Sequence, residues 1–517
     1  MPRRGVLVQA PYRRMTDVQV EQVHHASMEL LTDPGVLCFN REAADIFQAG
    51  GAEVAPVPGS DSGCWLLKIP EALVLNGVDS APKTVKLGAR NEDNSLIMAG
   101  DEPRVYLVSG SETNFWLETA FETYVKKSDP GTERQVPEFE VRRGTVADLC
   151  RAARLCEQLD TLDAFIRCVN IQDRDVTEDN KDVNKYFASL NNTTKHVMAG
   201  LTTLGQLDNL VRMAEIIAGG KEQLRENPII SFITCLVKSP LQFVDDTTQT
   251  MIELCRRGLP TVVSCAPQGG TTAPIREDGI VVQINAEILA GIALSQLVNP
   301  GAPVLYGAVP VRARMDNLHD SYGAPESSQY NIDCIQMARF YKIPCYSTSG
   351  VSDPKAPGLQ ASIERMLSNA VTMMSGPQYL HCAFGLLEKN LTFSPLQAVL
   401  DDAHFQMIEF FLRPATISES GLAESLSQIR QVMGTPQKLY IHHIRRLLRS
   451  GQLSPPYPFE SEGLEDNVLA LASQRMEELL SRPVEHIDEA TTKRIFQEIP
   501  GILPRLNSYR EGGEDGV

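Results

Sequence analysis

Eight short apolar runs recur between Arg104 and Gly385, most of them separated by a helical pattern. They are Val105–Val108, Phe165–Val169, His196–Ala199, Ile229–Leu236, Thr261–Ser264, Val304–Gly307, Pro344–Thr348 and Tyr379–Ala383. Short strands that alternate with helices build a parallel sheet, because each parallel neighbour needs a crossover and the crossover covers the sheet. Eight such repeats predict a closed (β/α)8 barrel over residues 101–415. In that architecture the chemistry lies at the C-terminal ends of the strands and in the loops that follow them.

The flanks read differently. Residues 1–100 predict an N-terminal α/β element that packs on or plugs one end of the barrel, with helices at Thr16–Leu31 and Arg41–Ala49 and a turn-rich, β-containing stretch at 52–100. Barrel helices are expected at Val146–Leu159, Leu207–Ala218, Leu241–Arg257, Ala286–Val298, Gln329–Tyr341, Leu359–Met374 and Leu396–Leu412. Two of these open on Ser-Pro-Leu, at Ser239 and Ser394, where serine caps the free amides and proline loses no hydrogen bond. The long 109–144 connection predicts an inserted helix around Asn114–Val125. Residues 416–517 predict a helical extension, with His442–Arg449 as a solvated basic face and Glu511–Val517 as a frayed tail.

A net charge of −17 argues against a nucleic-acid or anionic-membrane surface and fits a small cationic or zwitterionic substrate. No run approaches 18 uninterrupted apolar residues and no secretory apolar segment opens the chain, so a cytoplasmic protein without a membrane span is expected. Eleven scattered cysteines, none in a CxxC pair, read as reduced structural thiols. His24–His25 and His442–His443 are adjacent on helical stretches, where neighbours diverge by about 100°, so no metal site is expected. No GxGxxG follows a strand, so neither flavin nor nicotinamide is expected.

Three strand-end loops carry unusual residues. Cys265-Ala266-Pro267-Gln268-Gly269-Gly270-Thr271-Thr272-Ala273-Pro274 sets two glycines between prolines, either a ligand-approaching loop or an ordinary turn. After the sixth run come Tyr306, Arg312, Arg314 and Asp316, then Tyr322 and Glu326. An arginine fork suits a substrate carboxylate, and aromatic faces with carboxylates suit a quaternary ammonium. The alternative is that Arg312 or Arg314 pairs with Asp316 or Glu326 as a structural bridge. Tyr306 and Tyr346 are candidates to face a cation, and Tyr330, inside a helix, is a weaker one. His381 at the eighth strand end is either a core histidine or a carboxylate contact, with Cys382 beside it. Phe232 and Cys235 are read as core first and pocket lining second.

The seventh run leads into Tyr346-Ser347-Thr348-Ser349-Gly350-Val351-Ser352-Asp353-Pro354-Lys355. With Tyr341-Lys342-Ile343-Pro344, the Pro267–Pro274 loop, Ser239-Pro240-Leu241 and the element order from about residue 15 to 415, this segment resembles the trimethylamine methyltransferase family. Archaeal members of that family carry pyrrolysine just before a Ser-Asp-Ser-Lys-like stretch. Here that catalytic position falls at Gly350 or Val351, and neither side chain is an electrophile or an acid. The resemblance therefore implies a non-pyrrolysine member. Such relatives demethylate quaternary amines such as glycine betaine, proline betaine, carnitine or γ-butyrobetaine, and pass the methyl group to the cob(I)alamin of a partner corrinoid protein. It implies no tightly bound cofactor, a corrinoid-protein partner, a homo-oligomer and a place in one-carbon metabolism such as methanogenesis. Substrate contacts are then expected from Tyr306, Arg312, Arg314, Asp316, Glu326, Tyr346 and His381. Two alternatives stay open: a sulfonium substrate such as dimethylsulfoniopropionate, or a non-catalytic binding protein of the same fold.

Overall fold

The computed structural model of the protein describes residues 4–59, 63–125, 133–436, 440, 444, 451, 453–460 and 467–506. All eight apolar runs are strands: β1 (Arg104–Leu107), β2 (Ala164–Ile166), β3 (His196–Ala199), β4 (Ile230–Thr234), β5 (Thr261–Cys265), β6 (Val304–Ala308), β7 (Cys345–Thr348) and β8 (Tyr379–His381). They lie parallel in the order β2-β3-β4-β5-β6-β7-β8-β1, and Val6–Leu7 adds a ninth, antiparallel strand on β1. The sheet is curled, with some contacts between β1 and β2. The Asp163 amide donates to the Leu107 carbonyl at 2.7 Å, and Val108 bridges Ala164 in parallel.

A helix follows every strand: α1 (Val146–Gln158), α2 (Glu178–Asn192), α3 (Leu207–Ala218), α4 (Asp245–Arg256), α5 (Glu277–Val298), α6 (Pro325–Tyr341), α7 (Leu359–Met374) and α8 (Pro395–Phe411). The caps explain several boundaries. Thr145 and Asp148 form a capping box on α1, and Ser394 accepts the Gln397 amide with Pro395 in the first turn of α8. The other Ser-Pro-Leu does not start a helix. Leu241 adopts a φ of 52°, its amide and the Ser239 hydroxyl both donate to Glu287, and α4 begins only at Asp245.

The expected helix at Asn114–Val125 is a strand, Phe115–Val125, paired antiparallel with Glu133–Arg143. Its alternation of Phe115, Leu117 and Phe121 with Glu118 and Glu122 has the period of a strand rather than of a helix. Helix α2 was not anticipated, nor was the N-terminal helix Glu71–Ser80. The expected N-terminal helices are present at Asp17–Thr32 and Arg41–Ala49. Beyond residue 416 the described residues form helices Glu419–Met433, Val468–Ser481 and Glu489–Glu498. His442–Arg449, apart from Ile444, and Glu511–Val517 lie outside the described residues.

Apolar burial, at about 25 cal/mol per Å², holds these layers together. Inside the curl, Tyr106, Val108, Ala164, Ile166, Met198, Val262, Leu305, Tyr346 and Tyr379 pack on Val85, Leu87, Leu96 and Met98. The last four come from the hairpin Thr84–Leu87/Leu96–Ala99, which lies under the N-terminal ends of the strands. Outside the curl, the residues of alternate parity (Phe165, Val197, Phe232) pack against the helices. Helix α5 is apolar on all sides and is wedged between the sheet and the N-terminal helices. A Cβ on Gly77 would come within 2.9 Å of the Ala293 Cα. This helix has the length and composition to cross a membrane, but 89% of its most apolar window is buried in the fold.

Candidate functional site

At the C-terminal end of the curl, three rings form a stack. Tyr346 lies 4.1 Å from His381 and 5.5 Å from Tyr379, centroid to centroid, with interplanar angles of 25° and 15°. They meet because β7 and β8 pair in register, Tyr346 opposite Tyr379 and Thr348 opposite His381, so all three project inward. His381 Nδ1 lies 2.8 Å from the Ser347 carbonyl, and Thr348 Oγ1 is 3.2 Å from its Nε2. Burial pushes the imidazole down to about 3, so it is neutral.

Beside the stack, Cys235 is exposed just past the end of β4, and Ile233 and Val309 are partly exposed and pack on the same cluster. Tyr322 comes in from the β6–α6 loop. That loop is part of a small sheet of Gln268–Gly269, Val311–Ala313 and Asp320–Ser321. Asp353 anchors it: Oδ1 accepts the Tyr322 and Gly323 amides at 3.0 and 3.3 Å, and Oδ2 accepts the Ser321 hydroxyl at 2.9 Å. Burial, with Asp320, Cys382, Asp353 and Cys235 nearby, pushes the Tyr322 phenol well above its ordinary value. Burial raises Tyr346, Cys235 and Cys382 likewise. Every one of these groups is held in its neutral form. None is an activated nucleophile or base.

On the β1–β3 side the rim is charged. Arg167, 6% exposed, pairs with Glu112 while its Nε has no partner. Lys185 on α2 donates to Asp182 at 2.5 Å and to the Gly200 carbonyl at 2.7 Å, and burial pulls its ammonium down to about 8. Asp182 in turn accepts the Thr202 and Thr203 amides at 2.8 and 3.1 Å. Sequence reasoning passed over all four residues. The available signal was the position of Arg167, one residue beyond the inward-facing Ile166 at a strand end.

Of the residues singled out from sequence, Tyr346 and His381 are in contact. Arg312, Arg314 and Glu326 gather elsewhere, around an open cavity of about 610 Å³ that Asp353, Gln360 and Glu364 also line. Arg312 pairs with Glu326 at 2.9 Å, and Arg314 makes a two-pronged pair with Asp316 at 2.9 and 2.7 Å. That pair holds the exposed Asp316 carboxyl down at about 2. Tyr306 stands apart from both groups. Its neighbours Leu305 and Gly307 take the inward parity, so its ring points outward among the helices and its hydroxyl donates to Asn285 at 2.9 Å. Tyr330 donates to the Ile275 carbonyl, also away from the opening.

Gly350 turns the chain after β7 at a φ of 73°. A Cβ there would lie 2.8 Å from the Asn369 side-chain oxygen, and 2.9 and 3.0 Å from the Cys382 and Ala383 carbonyls. No side chain fits. Val351, 2% exposed, is packed in the helix-side core.

The profile of the trimethylamine methyltransferase family matches residues 5–122 and 131–444. A trimethylamine methyltransferase from Desulfitobacterium hafniense is 32% identical over 408 residues, 79% of this chain and 76% of that protein. One from Methanosarcina barkeri is 29% identical over 420 residues, 80% and 79% of the two chains. A glycine betaine methyltransferase from D. hafniense is 24% identical over 422 residues, 80% of each chain. The profile covers most of the sequence, from the N-terminal strand through helix Glu419–Met433, and the chain belongs to the trimethylamine methyltransferase family.

Proposed function

We propose that this chain is a methyltransferase that moves a methyl group from a betaine-type quaternary amine to the Co(I) corrinoid of a partner protein. The observation that carries this reading is the neutral, aromatic cluster of Tyr346, His381 and Tyr322, which holds no activated nucleophile, in a family whose relatives are named as methyltransferases. A quaternary nitrogen already bears its charge. When the acceptor attacks the methyl carbon, the C–N bonding pair stays on nitrogen and a neutral tertiary amine leaves, so no acid is required. The protein's work is to bind the cation, align one C–N bond toward the opening and exclude water. The partly exposed face of Tyr322 suits the ammonium, with Tyr346, buried in the stack, as the wall behind it. Arg312 and Arg314, with Asp316 and Glu326 as their resting partners, are the proposed carboxylate contacts at the outer cavity, and His381 backs Tyr346. Gly350–Val351 as the pyrrolysine-equivalent position agrees with a backbone that leaves no room for a reactive side chain.

The same reading takes the curled sheet as a closed (β/α)8 barrel over residues 101–415, flanked by an N-terminal element (1–100) and a helical extension (416–517). The contacts between β1 and β2 support the closure. It takes the protein as a cytoplasmic homo-oligomer. The test is a panel of betaines, choline and dimethylsulfoniopropionate incubated with the protein and a Co(I) corrinoid protein, with the methylated corrinoid followed by absorbance. Transfer from a betaine supports the reading. Transfer from the sulfonium alone would move the substrate class, and no transfer from any of them would overturn it.

A further inference from the structure

Far from the opening, the N-terminal helix Asp17–Thr32 meets the first turn of helix Glu71–Ser80. His24, His25 and Glu71 come together there, each with one ligand-type atom within 4.8 Å of the others. Adjacent helical histidines point about 100° apart, but these two rings are tilted toward each other at 5.1 Å between centroids. The third donor is 46 residues further on than His25, so no local spacing motif marks the cluster.

We propose that His24, His25 and Glu71 form a binding site for a borderline divalent cation of the zinc type, which ties the N-terminal helix to its neighbour. His24 Nε2 lies 3.4 Å from Glu71 Oε1. Two donors each about 2.0–2.1 Å from a tetrahedral zinc stand about 3.3 Å apart, so this edge has the right length. The site also has a built outer shell. His24 is buried, and its other ring nitrogen, Nδ1, is 3.0 Å from the Tyr341 hydroxyl. That hydroxyl accepts from the Asn285 amide at 3.1 Å, and Asn285 in turn accepts from Tyr306 at 2.9 Å. In the tautomer with the proton on Nδ1, that N–H donates to the Tyr341 oxygen, which fixes the ring orientation and leaves Nε2 free for a metal. His25 and Glu71 are exposed and free to swing the last ångström, and water completes the coordination. Two imidazoles and one carboxylate select zinc over magnesium, which demands oxygen donors.

The test uses the full-length protein, dialysed against chelator and titrated with Zn²⁺ in competition with a chromophoric chelator, with Mg²⁺ as control. One equivalent of zinc is expected, with a rise in Tm on loading and no response to magnesium. His25→Ala and Glu71→Gln, both surface changes, should each weaken binding at least about tenfold and remove the Tm rise, whereas Tyr341→Phe should weaken it by about tenfold through the outer shell. Absence of stoichiometric zinc, or zinc bound equally by H25A and E71Q, would overturn the proposal.

Discussion

The inner opening and the outer cavity solve opposite problems. The inner one is made of rings and thiols that burial keeps neutral, from His381 at about 3 to the raised Tyr346 and Tyr322 phenols. The outer one is made of ions already paired with each other, Arg312 with Glu326 and Arg314 with Asp316, on an accessible rim. Neutral faces hold a cation without a dedicated counter-ion, since the carboxylates on the rim, Glu112 and Asp182, are already paired with Arg167 and Lys185. A pocket of exposed pairs can trade one carboxylate for another at small net cost, since such pairs contribute little. The ammonium belongs with the first region and, for a betaine whose carboxylate lies several bonds from its nitrogen, the carboxylate with the second.

The largest expected effect concerns the frame under the inner region. Arg365 and Asp401 are both fully buried, and Arg365 also donates to the Ala383 carbonyl at 3.1 Å, beside the Gly350 turn. Asp401→Ala strands that guanidinium and should cost about 3–5 kcal/mol in denaturant unfolding. A loss below about 1 kcal/mol would mean that the frame does not depend on the pair. Next is Tyr322→Leu, which keeps most of the bulk and removes the partly exposed face. If the ring holds the cation, methyl transfer should fall about thirtyfold, the equivalent of about 2 kcal/mol for a desolvated cation–π contact. An unchanged rate would take the cation out of the inner region.

Arg312→Ala should raise KM for a carboxylated betaine by about tenfold or more, the scale of a charged hydrogen bond, and barely change that for choline. Equal losses on both substrates would make the outer pairs structural. The smallest effect is a proton count. The folded-state pKa of His381, about 3, lies below the ordinary 6.5, so between those values the unfolded chain holds a proton that the folded chain lacks. The stability it carries is complete above about pH 6.5 and is lost as the pH falls toward 3. In His381→Gln, proton uptake on unfolding near pH 5 should drop by about one. No change in the slope of stability against pH would place the ring in contact with water.

Much of this frame was legible in the sequence because each inner strand is a short apolar run and most helices show an apolar stripe. Helix α2 does carry an apolar stripe, Val183, Tyr186, Phe187 and Leu190 at i, i+3, i+4 and i+7, but the equally buried Asp182, Asn184, Lys185 and Asn192 interrupt it and blur the period. Tyr306 and Tyr346 looked equivalent, since strands buried on both faces carry no alternation to tell inside from outside. Register alone separates them, and register is a tertiary property. The carboxylates and arginines after β6 were visible as a cluster, but their distance from the aromatic stack was not. Tyr322 was visible only as a loop residue, because it is Asp353, 31 positions away, that pins its backbone.

A neutral aromatic cluster with no activated nucleophile suits a substrate whose nitrogen is already cationic. The most direct measurement compares glycine betaine with trimethylamine, each mixed with this protein and a cognate corrinoid protein held as Co(I), and follows the methylated corrinoid by absorbance. Trimethylammonium can shed its proton on entering a neutral, buried site, as a quaternary nitrogen cannot, and the free amine would then have to expel dimethylamide, a leaving group that no residue here protonates. The account predicts steady methyl transfer from the betaine and none above background from trimethylamine. Comparable rates from the two would contradict it and would require a reactive group that the inner opening does not contain.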